Sequence, residues 1–148
     1  MSALLEPHFT QDWPASSSAP SQSFEVRRLP APFGAEVLGL DLAAPLNAGD
    51  FARIRHAHLT HHVLVFRDQR IAPEDQVRFS ERFGPLQIHV QRRFQLPGHP
   101  PVLIVSNIRE NSEPIGLGDA GHFWHSDLSY KERPSLGSLS HGQELPAQ

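Results

Sequence analysis

Two short, wholly apolar runs constrain the fold of this chain more than any other feature. The first is Val63-Leu64-Val65-Phe66 and the second is Val102-Leu103-Ile104-Val105, each only four residues long. Uninterrupted apolar runs of this length are typical of strands that are buried on both faces. We therefore expect short, covered strands to form part of the core.

A helix is predicted directly before the first of these runs. Either Asn47 or Asp50 can cap it, and it is expected to extend to about His61. Apolar residues repeat at three- and four-residue spacing along one stripe, which is the pattern of a helix with one covered face. The stripe consists of Phe51, Ile54, Ala57 and His58.

A second helix is predicted to begin at Pro73, with two acidic residues in its first turn, where the helix dipole favours them. Val77 and the residues from Phe79 to Phe83 are expected to face inward. The helix is predicted to end at Gly84-Pro85, since this pair is a strong stop signal.

Three further strands are predicted, over residues 24–29, 35–42 and 136–141. Together with the two helices they indicate an α+β fold that occupies residues 23–148. Residues 1–22 are rich in Ser, Pro and Ala. Such a segment buries too little apolar surface to offset its ordering entropy, so we expect a disordered N-terminal leader.

The composition argues against several classes of protein. The formal net charge is −3, without the basic excess of a nucleic-acid-binding protein. No apolar run approaches the roughly 20 residues that span a bilayer, and the N-terminus lacks the pattern of a secretory signal. The chain has no cysteine, which excludes disulfides, thiolate ligands and a cysteine nucleophile. We expect a cytoplasmic protein that binds neither nucleic acid nor a membrane.

The strongest chemical signal is the stretch Phe123-Trp124-His125-Ser126-Asp127. On an extended backbone, side chains two residues apart point to the same face, so His125 and Asp127 can reach one metal ion from a strand end. One imidazole and one carboxylate are part of the ligand set of non-haem Fe(II) oxygenases. Two alternatives stay open from spacing alone: a His–Asp hydrogen bond in a loop, or two solvated polar residues.

Other polar residues give weaker signals. His58 and His62 lie one helical turn apart, but we expect a solvated or partly packed helix end. His141 and His89 fall on or beside predicted strands and are more often ordinary core or rim histidines. The pairs Arg27-Arg28 and Arg92-Arg93 can bind an anion, although a charged surface loop is the simpler interpretation.

Four segments in order resemble the TauD/TfdA family of Fe(II)- and 2-oxoglutarate-dependent dioxygenases. They are Gly34–Leu42, His62–Gln69, Phe79–Leu86 and Trp124–Asp127. The resemblance runs from about Phe24 to the last residue. It implies a partial double-stranded β-helix, or jelly roll, with flanking helices. It also implies Fe(II) as cofactor, with 2-oxoglutarate, O2 and a small anionic organic molecule as substrates.

The resemblance assigns roles to individual residues. It implies that His125 and Asp127 are metal ligands, that His89 contacts the anionic group of the substrate, and that Leu128 lies beside the substrate. Two departures argue against taurine itself: Arg92 stands where the taurine enzymes have a tyrosine, and Gly121 where they have an asparagine. A sulfonate, a sulfate ester or an aryloxy or other carboxylate remains an open choice.

We expect the chain to correspond to the N-terminal half of a family member. The family's oxoacid-binding threonine and arginine and its distal histidine ligand then lie beyond residue 148, so residues that bind 2-oxoglutarate stay unknown.

Three functions remain open: a dioxygenase with a partial iron site, an inactive remnant or interaction protein with exposed β edges, and a zinc hydrolase that uses His125, Asp127 and His141. Homo-oligomerisation is also left open.

Overall fold

The computed structural model describes residues 19–118 and 120–144, and it divides into two compact units. The N-terminal unit comprises the residues up to Leu40 together with Ala44–Arg67. The C-terminal unit comprises Asp41–Ala43 and the residues from Asp68 onward. Most of the predicted leader lies outside the described residues, since these begin at residue 19.

The N-terminal unit is a three-stranded sheet with one helix. Its elements are β1 (Glu25–Arg28), β2 (Ala35–Leu38), α1 (Ala48–His61) and β3 (Leu64–Phe66). The strand order is β1-β2-β3, with β1 antiparallel and β3 parallel to β2. A parallel pair needs a crossover connection, and α1 lies within the one that joins β2 to β3.

Helix α1 forms as the sequence predicts. The Asn47 side chain accepts a hydrogen bond from the Asp50 amide at 2.8 Å and caps the first turn. Phe51, Ile54 and Ala57 of the predicted stripe are buried. The helix ends at His61, where predicted.

Charged side chains link the elements of this unit. Glu36 on β2 forms ion pairs of 3.0 Å with Arg27 on β1 and with Arg67, which follows β3. Hydrogen bonds from these two arginines lower the pKa of Glu36. Arg53 on α1 lies 3.9 Å from the centre of the buried Phe24 ring and donates to the Phe24 carbonyl at 2.9 Å.

The C-terminal unit contains one helix and two small sheets. Its elements are α2 (Pro73–Glu81), a short 3₁₀ helix (Arg92–Phe94), β4 (Gln95–Leu96), β5 (His99–Leu103), β6 (Arg109–Glu110) and β7 (Glu113–Pro114). Strands β4 and β5 are antiparallel, as are β6 and β7. The buried Phe79 of α2 meets Phe83 edge to face at 5.5 Å.

Several predicted boundaries are wrong. The predicted strand 35–42 ends at Leu38 because Gly39 adopts a φ of +82°. Helix α2 ends at Glu81 rather than at Gly84-Pro85. Its last turn tightens into bonds between residues three apart, such as that from the Gly84 amide to the Glu81 carbonyl.

Neither apolar run is a strand buried on both faces. β3 pairs with β2 alone and all three of its residues are half-buried, because it lies at the edge of its sheet. The second run overlaps β5 only at Val102 and Leu103, and Val105 is 62% exposed. Both apolar runs overlap strands, as predicted. Burial on both faces also needs other elements packed against each strand, and the described residues do not supply them here.

The predicted strand 136–141 is also wrong. The backbone of these residues is irregular, and four of the six are exposed. A strand needs a neighbour that pairs with its backbone groups, and in the described ranges no strand lies beside this segment. The α+β class is nevertheless confirmed, and the small sheets are consistent with part of a jelly roll.

Within the described part of the chain, no helix has both the length and the apolar character that crossing a bilayer requires.

Candidate metal site

His125 and Asp127 lie on irregular backbone in the C-terminal unit. Residues 121–144 contain neither helix nor strand, so the expected strand end is not present. A turn starts at Asp127 and is closed by a hydrogen bond from the Lys131 amide to the Leu128 carbonyl at 2.9 Å. The two side chains therefore meet next to a turn and not at the end of a strand.

The two side chains contact each other directly. His125 Nε2 lies 3.1 Å from Asp127 Oδ1, and His125 Nδ1 lies 2.7 Å from the Phe123 carbonyl oxygen. Their side chains are 54% and 68% exposed. Water and small solutes therefore reach both groups in this arrangement.

The surroundings of His125 favour its protonated form. The hydrogen bond to the Phe123 carbonyl raises the pKa of His125; desolvation opposes this, and the charge and hydrogen bond of Asp127 add to the rise. The resulting stabilisation is present below the ordinary imidazole pKa and is lost as the pH rises through the raised value. A metal ion needs the neutral ring and must compete with this proton.

The donor set fits a divalent first-row metal ion. Two ligand atoms about 2.1 Å from one metal and at right angles lie about 3.0 Å apart. The observed 3.1 Å between His125 Nε2 and Asp127 Oδ1 is close to that separation, and it is also the length of the direct His–Asp hydrogen bond in a loop that the spacing left open. In the neutral ring, an Nδ1 proton donated to Phe123 leaves the Nε2 lone pair directed towards the side of Asp127.

Further ligands are not gathered around this pair. In the portion of the chain that is described, no group of three or more His, Cys, Asp or Glu side chains could hold a metal ion. His141 contacts the side chain of Gln143 at 2.7 Å instead. This local contact gives no support to a three-ligand zinc centre that includes His141.

His89 makes local hydrogen bonds. Its Nδ1 accepts from the Gln91 amide at 3.1 Å, and its carbonyl accepts from Gln95 Nε2 at 3.0 Å. The ring is on an exposed loop between α2 and β4. The exposed position of His89 leaves its side chain accessible to solvent.

Leu128 differs from its neighbours in two respects. Its side chain is half-buried, whereas residues 121–127 and 129–138 are exposed. Its backbone has a φ of +54°, in the left-handed region that apolar residues rarely adopt. The sequence carried no signal for this conformation.

The sequence also gave no indication of a link between the turn and the loop before His89. Lys131 Nζ donates to Gln87 Oε1 at 2.9 Å. This bond ties the turn that follows Asp127 to a residue two positions from His89. Trp124, directly before His125, is fully exposed.

The chain belongs to the taurine catabolism dioxygenase TauD, TfdA family, whose model matches residues 25–148. Pentalenolactone F synthase of Streptomyces avermitilis is 32% identical over 130 residues, which cover 85% of this chain. The (S)-phenoxypropionate/alpha-ketoglutarate dioxygenase of Sphingobium herbicidovorans is 30% identical over 127 residues, covering 86% of the chain. The chain spans 42% and 43% of the lengths of these two relatives.

A solved structure supports the same assignment. The crystal structure of a proposed alpha-ketoglutarate-dependent taurine dioxygenase from Burkholderia xenovorans matches with a TM-score of 0.52 and 38% identity. The match covers 60% of this chain and 32% of the other. The TauD/TfdA resemblance inferred from four sequence segments is thereby confirmed.

Proposed function

We propose that this chain contributes the histidine–carboxylate part of an Fe(II)- and 2-oxoglutarate-dependent dioxygenase site. The observation that carries the proposal is the 3.1 Å contact between His125 Nε2 and Asp127 Oδ1 inside the segment that matches the family. Iron bound there would supply the oxidising chemistry with O2 and 2-oxoglutarate. Residues that bind 2-oxoglutarate are not assigned.

The chain's own groups prepare the site before any ligand arrives. The Phe123 carbonyl holds the His125 ring at Nδ1 and so presents Nε2 as the ligand nitrogen. Asp127 brings a negative charge that partly neutralises a divalent cation. Both groups are open to solvent, so two ligands alone hold the metal weakly.

The proposed substrate is a small organic anion. Relatives are named for phenoxypropionate and 2,4-dichlorophenoxyacetate, and a further one is named alkylsulfatase. In this chain His89 has an exposed ring nitrogen that can donate to a carboxylate, sulfonate or sulfate oxygen. Leu128 would supply an apolar contact to the organic part of that anion.

The first test measures metal binding and turnover together. Mn(II) is titrated into the protein at about pH 8, where more of the His125 imidazole is neutral, and free Mn(II) is followed by electron paramagnetic resonance. Succinate formation is then measured with Fe(II), 2-oxoglutarate and a panel of sulfonates, alkyl sulfates and aryloxy acids. We expect His125→Ala and Asp127→Ala each to weaken Mn(II) binding about tenfold or more.

His122→Ala is the matched control, because it removes an exposed histidine three positions from His125. It should leave Mn(II) affinity within about twofold of the original protein. Equal Mn(II) affinity in the original protein and in the two ligand variants would disprove the proposed metal site. Binding without succinate formation would restrict the proposal to a partial site.

A non-catalytic interaction role is the second candidate, and exposed apolar side chains favour it. In the C-terminal unit Val90 and Phe123 are both 84% exposed, and Trp124 is fully exposed. Large apolar side chains left in water commonly mark contact surfaces. Light scattering after size exclusion tests this role: a chain that stays monomeric at high concentration would argue against self-association.

A further inference from the structure

The left-handed backbone of Leu128 is unusual among the described residues. Five of their non-glycine members have a positive φ. The other four are polar types, which tolerate this region more readily than leucine does: His62, Asp68, Asn111 and Ser112. An apolar residue held in this conformation needs support from its surroundings, and such positions are concentrated at functional sites.

Three contacts supply that support. The Leu128 side chain is half-buried within an otherwise exposed segment, and its carbonyl accepts from the Lys131 amide at 2.9 Å. Lys131 in turn donates from Nζ to Gln87 Oε1 at 2.9 Å. Through Lys131 the turn is therefore attached to the loop that precedes His89.

We infer that Leu128 is a positioning residue that acts through its backbone conformation. The peptide between Asp127 and Leu128 sets the direction in which the chain leaves the candidate metal pair. With φ at +54° at Leu128, the chain turns directly after the pair and Lys131 reaches Gln87, which anchors the segment that leaves Asp127. This inference rests on the proposed function of that pair, and it adds a role that does not depend on contact between Leu128 and the substrate.

Two substitutions of similar size separate the backbone role from a side-chain role. Leu128→Asn removes the apolar side chain but favours the left-handed region. Leu128→Val keeps an apolar side chain, but its β-branched carbon makes the left-handed region strongly unfavourable. A backbone role predicts that Asn is tolerated and Val is not, whereas an apolar contact predicts the reverse.

The measurement is Mn(II) affinity by electron paramagnetic resonance, as for the ligand variants. We expect Leu128→Asn to stay within about threefold of the original protein, and Leu128→Val to weaken binding about fivefold to tenfold. Ser112→Val is the control, because it places valine at another positive-φ position in the turn between β6 and β7. It should leave Mn(II) affinity unchanged even if it lowers stability.

A metal-free readout separates failure of the inference from failure of the proposed function. Backbone chemical shifts of residue 128, and Overhauser contacts between the His125 ring and the Asp127 methylene, report the arrangement without any metal. We expect both signatures in the original protein and in Leu128→Asn, and their loss in Leu128→Val. A right-handed or extended residue 128 in the original protein, or Val binding Mn(II) better than Asn, would overturn the inference. Absence of Mn(II) binding in the original protein would instead refute the proposed function.

Discussion

Asp50 shows how much a single buried carboxylate organises in the N-terminal unit. It is 2% exposed and accepts hydrogen bonds from Ser21 Oγ at 3.0 Å, the Gln22 amide at 2.7 Å and Asn47 Nδ2 at 3.0 Å. Burial raises its pKa, but these hydrogen bonds and the charge of Arg53 outweigh burial and lower the pKa overall. The network also attaches two residues of the predicted leader to α1.

Asp50→Asn is expected to lower the free energy of unfolding near neutral pH by about 2–3 kcal/mol, because an amide cannot accept from all three donors. Since the folded-state pKa is lowered, the carboxylate stabilises the protein above its unfolded pKa of about 3.9. That contribution disappears as the pH falls through the folded value.

Urea unfolding at a series of pH values checks this expectation. The difference between Asp50→Asn and the original protein should narrow steadily below about pH 4. The exposed Asp68 offers a control, and Asp68→Asn should change stability by less than about 0.5 kcal/mol. A difference that stays constant from neutral to acidic pH would show that the carboxylate charge contributes nothing.

The two helices differ in how their N-terminal ends are capped. Asn47 caps α1 with its own side chain, whereas the corresponding position of α2 is Ala72, which has no side-chain oxygen. In α2 the Asp75 carboxylate accepts from the Ala72 amide at 2.9 Å and forms an ion pair with Arg78 at 2.8 Å. Half of a capping box is therefore present, and the other half is missing.

This difference predicts opposite effects of two substitutions. Asn47→Ala should destabilise the protein by about 1 kcal/mol, because it removes the bond to the Asp50 amide. Ala72→Ser should stabilise it by about 0.5–1 kcal/mol, because serine supplies the missing acceptor opposite Asp75. Thermal unfolding of both variants provides the measurement, and a destabilising Ala72→Ser would indicate that residue 72 is not the N-cap.

Across the whole chain, the candidate site and the best-packed core occupy different units. The fully buried Ile54 and Val37 belong to the N-terminal unit, whereas the His125–Asp127 pair lies in the C-terminal unit. A long exposed segment, residues 121–138, carries the pair with few packing contacts to hold it in place. Binding of a metal ion is therefore expected to add a large share of the local order there.

Metal-linked unfolding tests that expectation on the intact chain. Mn(II) at about 100 times its dissociation constant should raise the free energy of unfolding by about 2.7 kcal/mol. Asp50→Asn should show the same increment from a lower starting stability, because Asp50 and the pair belong to different units and the effects of independent sites add. The double variant His125→Ala/Asp127→Ala should show no increment, and an undiminished one would place the binding site elsewhere.

The sequence by itself determined the elements whose causes are local. The Asn47 cap and the stripe of Phe51, Ile54 and Ala57 predicted α1 with its correct end, because capping and helical periodicity act within a few residues. The order of four segments identified the family, because motif order is preserved in the chain itself. The two-residue spacing marked His125 and Asp127 as candidates, but the strand end it predicted is not present and the two side chains meet in a loop.

Only the tertiary structure decided what depends on partners distant in sequence. The apolar run at Val63–Phe66 became a half-buried edge strand, and residues 136–141 formed no strand. Both outcomes depend on other segments of the chain, which must pair with a strand and cover it. The left-handed Leu128 and its indirect attachment to Gln87 through Lys131 were equally absent from any local pattern. Such conformations are held by contacts between residues far apart in sequence. A short stretch of sequence does not contain both partners of such a contact, so it cannot predict the conformation.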